Sequence, residues 1–372
     1  MRVLEVVTLV TPDGEYGGPT RVAVNQAAAL QRRGHDVTIA AATRGFAEPP
    51  SLLNDVPTRL FPSRTLVPGT GFAGLSSPRL MRWLRTNVSA FDVVHVHAAR
   101  DLVTLPAART ALRKGVPYVL QTHGMIDPSG NPLARPFDTL LTRMVLSRAQ
   151  RVFYLTPTEK SDLTAVGGSH LQFQHLPNGV PRAEPSAETA MPLEVLYLAR
   201  LAPRKRPLAF VKAAASLCSR HPDVRFTLVG PDEGEAAAVD AAITSSGHAD
   251  RIRREPAISP ENTLERMSHA SVYVLPSVNE PYPMSVLEAM SLALPVVITR
   301  SCGLARLVAD SEAGAVVDET VESLEDGIDR MLRDDALRDR LGRNGMHVTR
   351  AEHSMDAIAE RLEAGYADSV TV

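Results

Sequence analysis

Short apolar runs alternate along the chain with longer segments in which apolar residues recur every three or four positions. The first pattern is typical of buried strands and the second of amphipathic helices. In the first half the predicted strands are Val3–Val10, Val37–Ala41, Val93–Val96, Tyr118–Gln121 and Val152–Leu155, with helices at Thr20–Arg33 and Leu102–Lys114. In the second half they are Glu194–Ala199, Arg225–Val229, Val272–Leu275, Val296–Thr299 and Ala315–Val317, with helices at Leu208–Ser219 and Ser285–Leu292. This alternation predicts two parallel α/β sheets, each covered by helices on both faces.

The apolar periodicity stops between residues 181 and 192, a polar stretch rich in Pro and Ala. We interpret it as a linker between an N-terminal domain over residues 1–180 and a second domain over 193–351. The last segments, Val321–Arg333, Ala336–Met346 and Met355–Ala367, have helical periodicity with no strand between them. The predicted fold class is α/β, with two doubly wound, Rossmann-like domains that face a central cleft. Ligands are expected in that cleft, at the carboxyl ends of the strands.

Composition narrows the function classes. The 372 residues carry 40 Lys and Arg against 42 Asp and Glu, a net charge of −2, so non-specific nucleic-acid binding is not expected. The two cysteines, Cys218 and Cys302, are too few for a disulfide framework or a thiolate zinc site. No run approaches the ~20 apolar residues that span a bilayer, and the first residues lack the blocks of a signal peptide. We therefore expect a cytoplasmic protein.

The segment from Pro276 to Met290 leaves a predicted strand and opens a helix. We expect Ser285 to cap that helix and Glu288 to lie in its first turn, so that Glu280 on the loop and Glu288 on the helix can face one ligand. The spacing alone leaves an alternative open, in which Glu280 faces solvent and Glu288 only complements the positive end of the helix dipole.

Other candidates also sit where a predicted strand ends. Arg200, Arg204, Lys205 and Arg206 place four cations within seven residues, which suits a diphosphate but also a solvated turn. Gly17 and Gly18 stand in the turn Tyr16-Gly17-Gly18-Pro19-Thr20, after the first strand, and glycines there are often only turn formers. His123 follows the strand Tyr118–Gln121, where an ordinary polar residue is the alternative. His95 and His97 alternate on one strand and are expected to pack or support rather than to bind a metal.

Together these segments resemble the retaining glycosyltransferases of family four, which have the two-domain GT-B architecture. Glu280 and Glu288 match the family's Glu-x7-Glu motif; Arg200 and Lys205 match its Gly-Arg-Leu-x-x-x-Lys stretch, with Ala199 in place of Gly; Thr122-His123-Gly124 and Pro177-Asn178-Gly179 match two further loops. The resemblance implies that Glu280 binds donor-sugar hydroxyls, that Glu288 binds the ribose diol, and that Arg200 and Lys205 hold the diphosphate. It places His123 near the donor sugar and extends the nucleotide-binding set to Gly17, Gly18, Met284, Ser285 and Val286. The catalytic set implied is His123, Glu280, Arg200 and Lys205.

The activity implied is transfer of a sugar from a nucleotide diphosphate sugar to an acceptor hydroxyl, with retention and without a metal or other cofactor. Surface polysaccharide or glycoconjugate synthesis is the associated role, and the acceptor is a glycan, a lipid-linked molecule or a small molecule. Relatives also imply that a C-terminal helix over about residues 352–372 packs back onto the first domain. One departure is the segment Ser301–Leu307, which lacks the family's Glu, although an N–H group of Gly303 or Leu304 is expected to remain available to a phosphate.

Three alternatives remain from the sequence. The chain could be a GT-B phosphorylase, a nucleotide-sugar epimerase, or a non-catalytic sugar-binding or scaffold protein on a decayed transferase fold. The cationic segment Arg79–Arg85, with the lone Trp83, is expected to form a core-packing helix. Some relatives use such segments for peripheral contact with the inner face of the membrane, which is the second interpretation of that segment.

Overall fold

The computed structural model describes residues 1–12, 17–67, 69–129, 134–183 and 192–370. Within these ranges the chain divides into two compact units. Unit 1 comprises Met1–Gly179 and Met355–Val372, and unit 2 comprises Val180–Ser354. Most of the expected linker, residues 184–191, lies outside the described residues.

The described strands are β1 (Arg2–Val10), β2 (Asp36–Thr43), β3 (Leu52–Leu53), β4 (Val56–Pro62), β5 (Arg64–Thr65), β6 (Leu75–Ser76), β7 (Val93–His97), β8 (Tyr118–Gln121), β9 (Arg151–Tyr154), β10 (Phe173–His175), β11 (Glu194–Leu198), β12 (Arg225–Val229), β13 (Ile252–Glu255), β14 (Val272–Leu275), β15 (Val296–Thr299) and β16 (Gly314–Val317). The described helices are α1 (Gly17–Arg32), α2 (Pro78–Asn87), α3 (Thr104–Arg113), α4 (Ala134–Phe137), α5 (Arg143–Arg148), α6 (Pro157–Gly167), α7 (Pro207–Cys218), α8 (Ala236–Ser245), α9 (Thr263–Ser268), α10 (Met284–Ser291), α11 (Ala305–Asp310), α12 (Val321–Arg333), α13 (Asp335–Glu352) and α14 (Met355–Val370).

Unit 1 is built on a sheet with the strand order β10-β9-β8-β7-β1-β2-β4-β3 in the described residues. All pairs are parallel except β3 with β4. Alternate residues of β1 enter different cores: Leu4 and Val6 join one cluster, whereas Val3 and Val7 join another. The sheet is therefore buried on both faces, which explains why β1 is mainly apolar on both of its sides.

Helix α14 belongs to unit 1 although it ends the chain. Its residues Ile358, Leu362 and Tyr366 are fully buried in the cluster that contains the Val3 side of the sheet. On the solvent side, Glu363 accepts hydrogen bonds from Arg33 at 2.8 Å and pairs with His35 at 2.8 Å. The Arg33 guanidinium and His35 lower the pKa of Glu363 to about 2.

Unit 2 is built on a parallel sheet with the order β13-β12-β11-β14-β15-β16. Numbered within the unit this is 3-2-1-4-5-6, the order of dinucleotide-binding domains, in which strand order reverses between β11 and β14. The sheet separates two apolar clusters, one with Val195 and Tyr197 and the other with Leu196. Unit 1 has a similar reversal, between β1 and β7.

The sequence missed strands at the margins of both sheets. β4 contains Pro57 and Pro62, and β13 reads Ile252-Arg253-Arg254-Glu255, so neither has the apolar run used to predict the inner strands. Prolines and charges are tolerated near sheet edges because fewer ladder hydrogen bonds and less burial are required there.

Candidate active site

The basic loop and the Glu280 loop leave neighbouring strands of the unit 2 sheet. β11 ends at Leu198 and β14 ends at Leu275, and the two strands pair in parallel. They flank the reversal of strand order. In open parallel sheets, ligands bind at the carboxyl ends of the strands at such a point. The fold therefore brings two segments that the sequence assigned to donor binding to one edge of the sheet.

Two consecutive cations of the basic loop hold Glu280. Lys205 Nζ lies 2.6 Å from Glu280 Oε2, and Arg204 Nη1 lies 3.2 Å from the same oxygen. The side chains of Lys205 and Glu280 are only 11% and 10% exposed, whereas that of Arg204 is 43% exposed. Arg204, which the family motif does not include, therefore shares the Glu280 carboxylate with Lys205 and is not part of a freely solvated turn. Glu280 is also not the solvent-facing residue of the alternative interpretation.

Hydrogen bonds from the backbone and from Arg206 fix the relation between the two loops. The N–H of Val278 donates to the carbonyl of Arg204 at 3.0 Å. Arg206 adopts a left-handed conformation with φ of 54° and donates to the carbonyls of Pro276 and Glu319. These contacts hold Lys205 and Arg204 against the Glu280 loop, so Arg206 has a structural role in the loop.

Arg200, the other predicted phosphate ligand, is placed differently from Lys205. Its Nη1 atom lies 2.7 Å from Glu233 Oε1, and both side chains are about half exposed. Because an exposed pair of this kind is worth at most about 1 kcal/mol, a bound anion can compete with Glu233 for the guanidinium. Arg200 is thus at the same sheet edge but is paired to a different carboxylate from Lys205.

Helix α10 carries Met284, Ser285, Val286 and Glu288. The residue that caps its N-terminus is Pro283, and Ser285 instead accepts a hydrogen bond from the Tyr273 hydroxyl at 2.7 Å. The expectation that Ser285 caps the helix is therefore wrong. Glu288 lies beyond the first turn, which contains no acidic residue, and it is 3% exposed. A carboxylate this buried is not a surface complement to the helix dipole, so the dipole explanation does not apply.

Gly303 packs closely against the backbone of the Glu280 loop. Its N–H donates to the carbonyl of Glu280 at 2.8 Å, and a Cβ at this position would lie 1.8 Å from the carbonyl oxygen of Pro281. Only glycine permits that approach. The expected availability of the Gly303 N–H for a phosphate is corrected, because it is already bonded to Glu280. The neighbouring Cys302 thiol is buried, and burial raises its pKa to about 11, so it stays protonated at neutral pH.

In unit 1, His123 ends a chain of buried polar side chains. Its Nε2 atom lies 2.8 Å from His97 Nδ1, and His97 Nε2 lies 3.2 Å from Glu5 Oε2. Desolvation lowers the pKa of His97 to about 3, raises the pKa of Glu5 well above its ordinary value and lowers that of His123. His97, which was expected to pack or support, contacts His123 directly.

Sequence reasoning missed Glu159, which holds the His123 loop. Glu159 Oε1 accepts hydrogen bonds from the Thr122 hydroxyl at 2.5 Å and from the Gly124 N–H at 2.6 Å, and Oε2 accepts from the Leu155 N–H at 2.5 Å. His123 itself has φ of 53°, an unusual conformation that these contacts stabilise. The pattern Thr156-Pro157-Thr158-Glu159 resembles a capping box and predicts the start of α6, but nothing in it indicates a contact with another loop.

Sequence reasoning also missed that Glu5 completes a group with His95 and His97. Potential ligand atoms of the three side chains lie within 4.8 Å of one another, and all three residues are fully buried. The strand pattern of His95 and His97 gave no sign of this third group. However, the two imidazole rings are stacked 4.6 Å apart at 19°, so an ion that lies in the plane of one ring lies out of the plane of the other. A metal ion needs lone pairs that converge, and this arrangement fits one poorly.

The glycine turn is only partly described. Residues 13–16, including Tyr16, lie outside the described residues, and α1 begins at Gly17. A Cβ at Gly18 would meet no atom within 4 Å. Thr20 follows in the first turn of α1, where its hydroxyl donates to the Leu9 carbonyl at 3.1 Å and ties the helix to β1.

The cationic segment Arg79–Arg85 lies in α2, whose apolar side packs into unit 1. Leu80 and Leu84 are fully buried, and Trp83 packs against the rings of Phe61 and Phe91. No helix in the described ranges is long and apolar enough to cross a membrane.

Comparisons with known proteins agree with this architecture. The sequence matches the family model Glycosyl transferases group 1 over residues 183–348 and the Glycosyl transferase 4-like domain over residues 17–179. It is 26% identical over 402 residues to a D-inositol 3-phosphate glycosyltransferase of Corynebacterium diphtheriae, covering 96% of this chain and 91% of the relative.

Solved structures share the fold. Sucrose-phosphate synthase from Thermosynechococcus elongatus superimposes with a TM-score of 0.74 at 19% identity, over 99% of this chain and 98% of that one. Anabaena HepE in complex with UDP superimposes with a TM-score of 0.77 at 17% identity, over 99% and 100% of the two chains. With two Rossmann-like units and family matches that together span most of its length, the chain belongs to the family-4 type glycosyltransferases with the GT-B fold.

Proposed function

We propose that the protein transfers a sugar from a nucleotide diphosphate sugar to an acceptor hydroxyl, with retention of configuration at the anomeric carbon. The observation that carries this proposal is the buried contact between Lys205 and Glu280, shared by Arg204, at the reversal of strand order in unit 2. It combines cations for a diphosphate with a carboxylate for sugar hydroxyls at one sheet edge. Structures of HepE with UDP and with UDP-glucose support a donor of this class.

Each side chain of this edge has a chemical task in the proposal. Lys205, Arg204 and Arg200 stabilise the negative charge of the nucleoside diphosphate as it leaves. Glu280 accepts hydrogen bonds from hydroxyls of the donor sugar, and the buried Glu288 accepts two from the ribose diol. Gly17 and Gly18 at the start of α1, and Met284 and Ser285 at the start of α10, offer backbone N–H groups to phosphate oxygens. The N–H of Val286, which the resemblance also included, instead donates to the carbonyl of Pro283 at 3.2 Å.

The proposed reaction takes place on one face of the sugar. The bond between the anomeric carbon and the leaving phosphate oxygen breaks as the acceptor oxygen forms its bond to that carbon. The acceptor proton passes to an oxygen of the leaving diphosphate, which becomes the nucleoside diphosphate product. Glu280 and His123 orient the sugar in this scheme and do not attack it. We propose that the cations meet the charge requirement of the diphosphate and that no divalent metal is needed.

For the acceptor we propose a chemical class and not an individual molecule. A role in surface polysaccharide or glycoconjugate synthesis follows from the family resemblance. The D-inositol 3-phosphate glycosyltransferase relative adds a phosphorylated cyclitol as the first small acceptor to assay.

The test is acceptor-dependent release of nucleoside diphosphate, with the product's anomeric configuration determined by NMR from the one-bond coupling at the anomeric carbon. We expect release only with an acceptor, unchanged by EDTA, and a product with the donor's configuration. Inversion would overturn retention, and loss of rate in EDTA that returns with a divalent cation would overturn the metal-independent mechanism. Nucleotide release without any acceptor would instead indicate hydrolysis.

We also propose peripheral contact with an anionic membrane surface through α2 and α3. Six exposed cations on these helices or directly after α3 form no ion pair with any described residue: Arg79, Arg82, Arg85, Arg109, Arg113 and Lys114. Several of them line a depression of about 270 Å³ together with Met81 and Pro106. Cations beside apolar side chains suit a layer of anionic headgroups, each contributing about 1 kcal/mol near the surface.

Liposome flotation tests this contact. The protein should float with vesicles containing phosphatidylglycerol and not with phosphatidylcholine alone. The double variant Arg82→Gln/Arg85→Gln should lose most of that binding, whereas Arg340→Gln/Arg343→Gln on α13 should retain it. Equal flotation of both variants, or none of the wild type, would rule out α2 as the contact.

A further inference from the structure

A hydrogen-bonded chain runs from the centre of the unit 1 sheet to its carboxyl edge. Glu5 on β1 lies opposite His95 on β7, and His97 follows two residues later on the same face of β7. His97 in turn pairs in register with Gln121 of β8, two residues before His123. The parallel register thus places His97 between Glu5 and His123. Its Nε2 atom lies 3.2 Å from Glu5 Oε2 and its Nδ1 atom lies 2.8 Å from His123 Nε2.

The position of each proton in this chain follows from burial. No cation of the described residues pairs with Glu5, and its Oε1 atom has no hydrogen-bond partner. An ionised carboxylate in that place would be left with one neutral contact, so burial keeps the pKa of Glu5 high and the group neutral. A neutral carboxyl then donates its O–H to His97 Nε2.

The donation from Glu5 determines which nitrogens of His97 and His123 carry protons. His97 accepts at Nε2 and, with a pKa lowered to about 3, carries a single proton, which must be on Nδ1. The Nδ1–H donates to His123 Nε2. His123 therefore has its own proton on Nδ1, a nitrogen that has no partner among the residues that the structure describes.

We propose that Glu5 and His97 are positioning residues that hold His123 in its Nδ1–H tautomer, so that His123 donates a hydrogen bond to an oxygen of the bound substrate. This inference deepens the proposed function, because it rests on the assignment of His123 to the donor sugar. The oxygen is a sugar hydroxyl or a phosphate oxygen, both of which accept from N–H. It also means that His123 is not a general base, since its other ring nitrogen is already occupied by His97.

Two substitutions at Glu5 separate positioning from packing. Gln retains an N–H that can donate to His97 Nε2, whereas Leu fills a similar volume and donates nothing. Losing one orienting hydrogen bond should lower kcat about three- to tenfold in Glu5→Leu, with little change in KM, and Glu5→Gln should restore most of it. Tyr366→Phe is the matched control, because it removes a buried hydroxyl bonded to His95 at 2.8 Å without touching this chain.

The primary readout is the tautomer itself, measured by two-bond ¹⁵N–¹H correlation on ¹⁵N-histidine-labelled protein without substrate, with His123 identified by the loss of its signals in His123→Gln. We expect His97 and His123 protonated on Nδ1 in the wild type, Glu5→Gln and Tyr366→Phe, and a mixture of tautomers in Glu5→Leu. An Nε2–H tautomer or a doubly protonated ring at either histidine in the wild type would overturn the proposal, even if neither Glu5 variant folds. Because this spectrum needs no turnover, a missing transferase activity would count against the proposed function and leave the tautomer result standing.

Discussion

Replacing Glu280 by Gln should tighten the binding of nucleoside diphosphate while it lowers turnover. In the structure the Glu280 carboxylate is the shared counterion of Lys205 and Arg204. A diphosphate that approaches these cations must compete with it. Gln keeps the size and hydrogen-bonding capacity of the side chain but removes its negative charge, so both cations become available to the ligand.

The size of the gain follows from the contact between Lys205 and Glu280. Two unit charges 2.6 Å apart attract each other by about 1.6 kcal/mol with the screening of bulk water and by about 6 kcal/mol at an effective dielectric constant of 20. The Gln amide keeps part of this attraction as a hydrogen bond, and freeing Lys205 exposes it to water. We expect a net gain of about 1–2 kcal/mol, a five- to thirtyfold fall in Kd.

Isothermal titration calorimetry with nucleoside diphosphate measures this effect, since the free nucleotide lacks the sugar that Glu280 is proposed to contact. The matched control is Glu233→Gln, which releases the half-exposed Arg200 and should change Kd by no more than about fivefold. In the same preparations kcat for Glu280→Gln should fall by at least about a hundredfold. Weaker nucleotide binding in Glu280→Gln, or an unchanged kcat, would refute the reasoning.

Three further outcomes are expected. Glu288→Ala should raise the Kd of the nucleoside diphosphate about tenfold or more by removing charged hydrogen bonds to the ribose; titration with the matching 2′-deoxynucleoside diphosphate, which has no ribose diol, should show no such difference. Gly303→Ala should lower kcat about a hundredfold, because its Cβ must displace the Pro281 carbonyl and with it the Glu280 loop; an unaffected rate would show that the loop position is unimportant. Folded His97 stays neutral down to about pH 3, whereas the unfolded residue binds a proton below about pH 6.5, so the free energy of unfolding should decrease as the pH is lowered from 6.5 to 3. His97→Gln should remove about 1.4 kcal/mol of this decrease per pH unit. If the free energy of unfolding in urea changes with pH in the same way for both proteins, the prediction is contradicted.

The inner strands and main helices could be predicted from the sequence because they are buried on both faces. Tyr118–Gln121, Arg225–Val229, Val272–Leu275 and Val296–Thr299 have the predicted bounds, since a continuous apolar run has few alternative structures. The strands near the sheet margins were not predicted, because charged or Pro-containing segments do not form a continuous run of apolar residues. The family and the GT-B fold followed from motifs that cluster at strand ends, and the family matches confirm both.

The contacts within the candidate site were less predictable. Arg204 and Arg206 stand beside Lys205 in a run of cations, and only the three-dimensional turn shows that Arg204 reaches Glu280 while Arg206 bonds backbone carbonyls. Glu5 and Glu159 lie 92 and 35 residues from their partners His97 and Gly124, so no local pattern connects them. Long-range contacts of single polar residues depend on strand register, which one sequence does not specify.

The most direct test of the central claim is a thermal-shift titration of the wild-type protein with UDP, GDP, ADP and dTDP, each with and without EDTA. A nucleotide present at 100 times its Kd should stabilise the fold by about 2.7 kcal/mol, which is visible as a raised unfolding midpoint. The account predicts that one of the four raises the midpoint, that EDTA leaves the shift unchanged, and that Glu288→Ala reduces it. If none of the four nucleotides stabilises the protein, the edge formed by Lys205, Glu280 and α10 is not a donor site and the proposed function is contradicted.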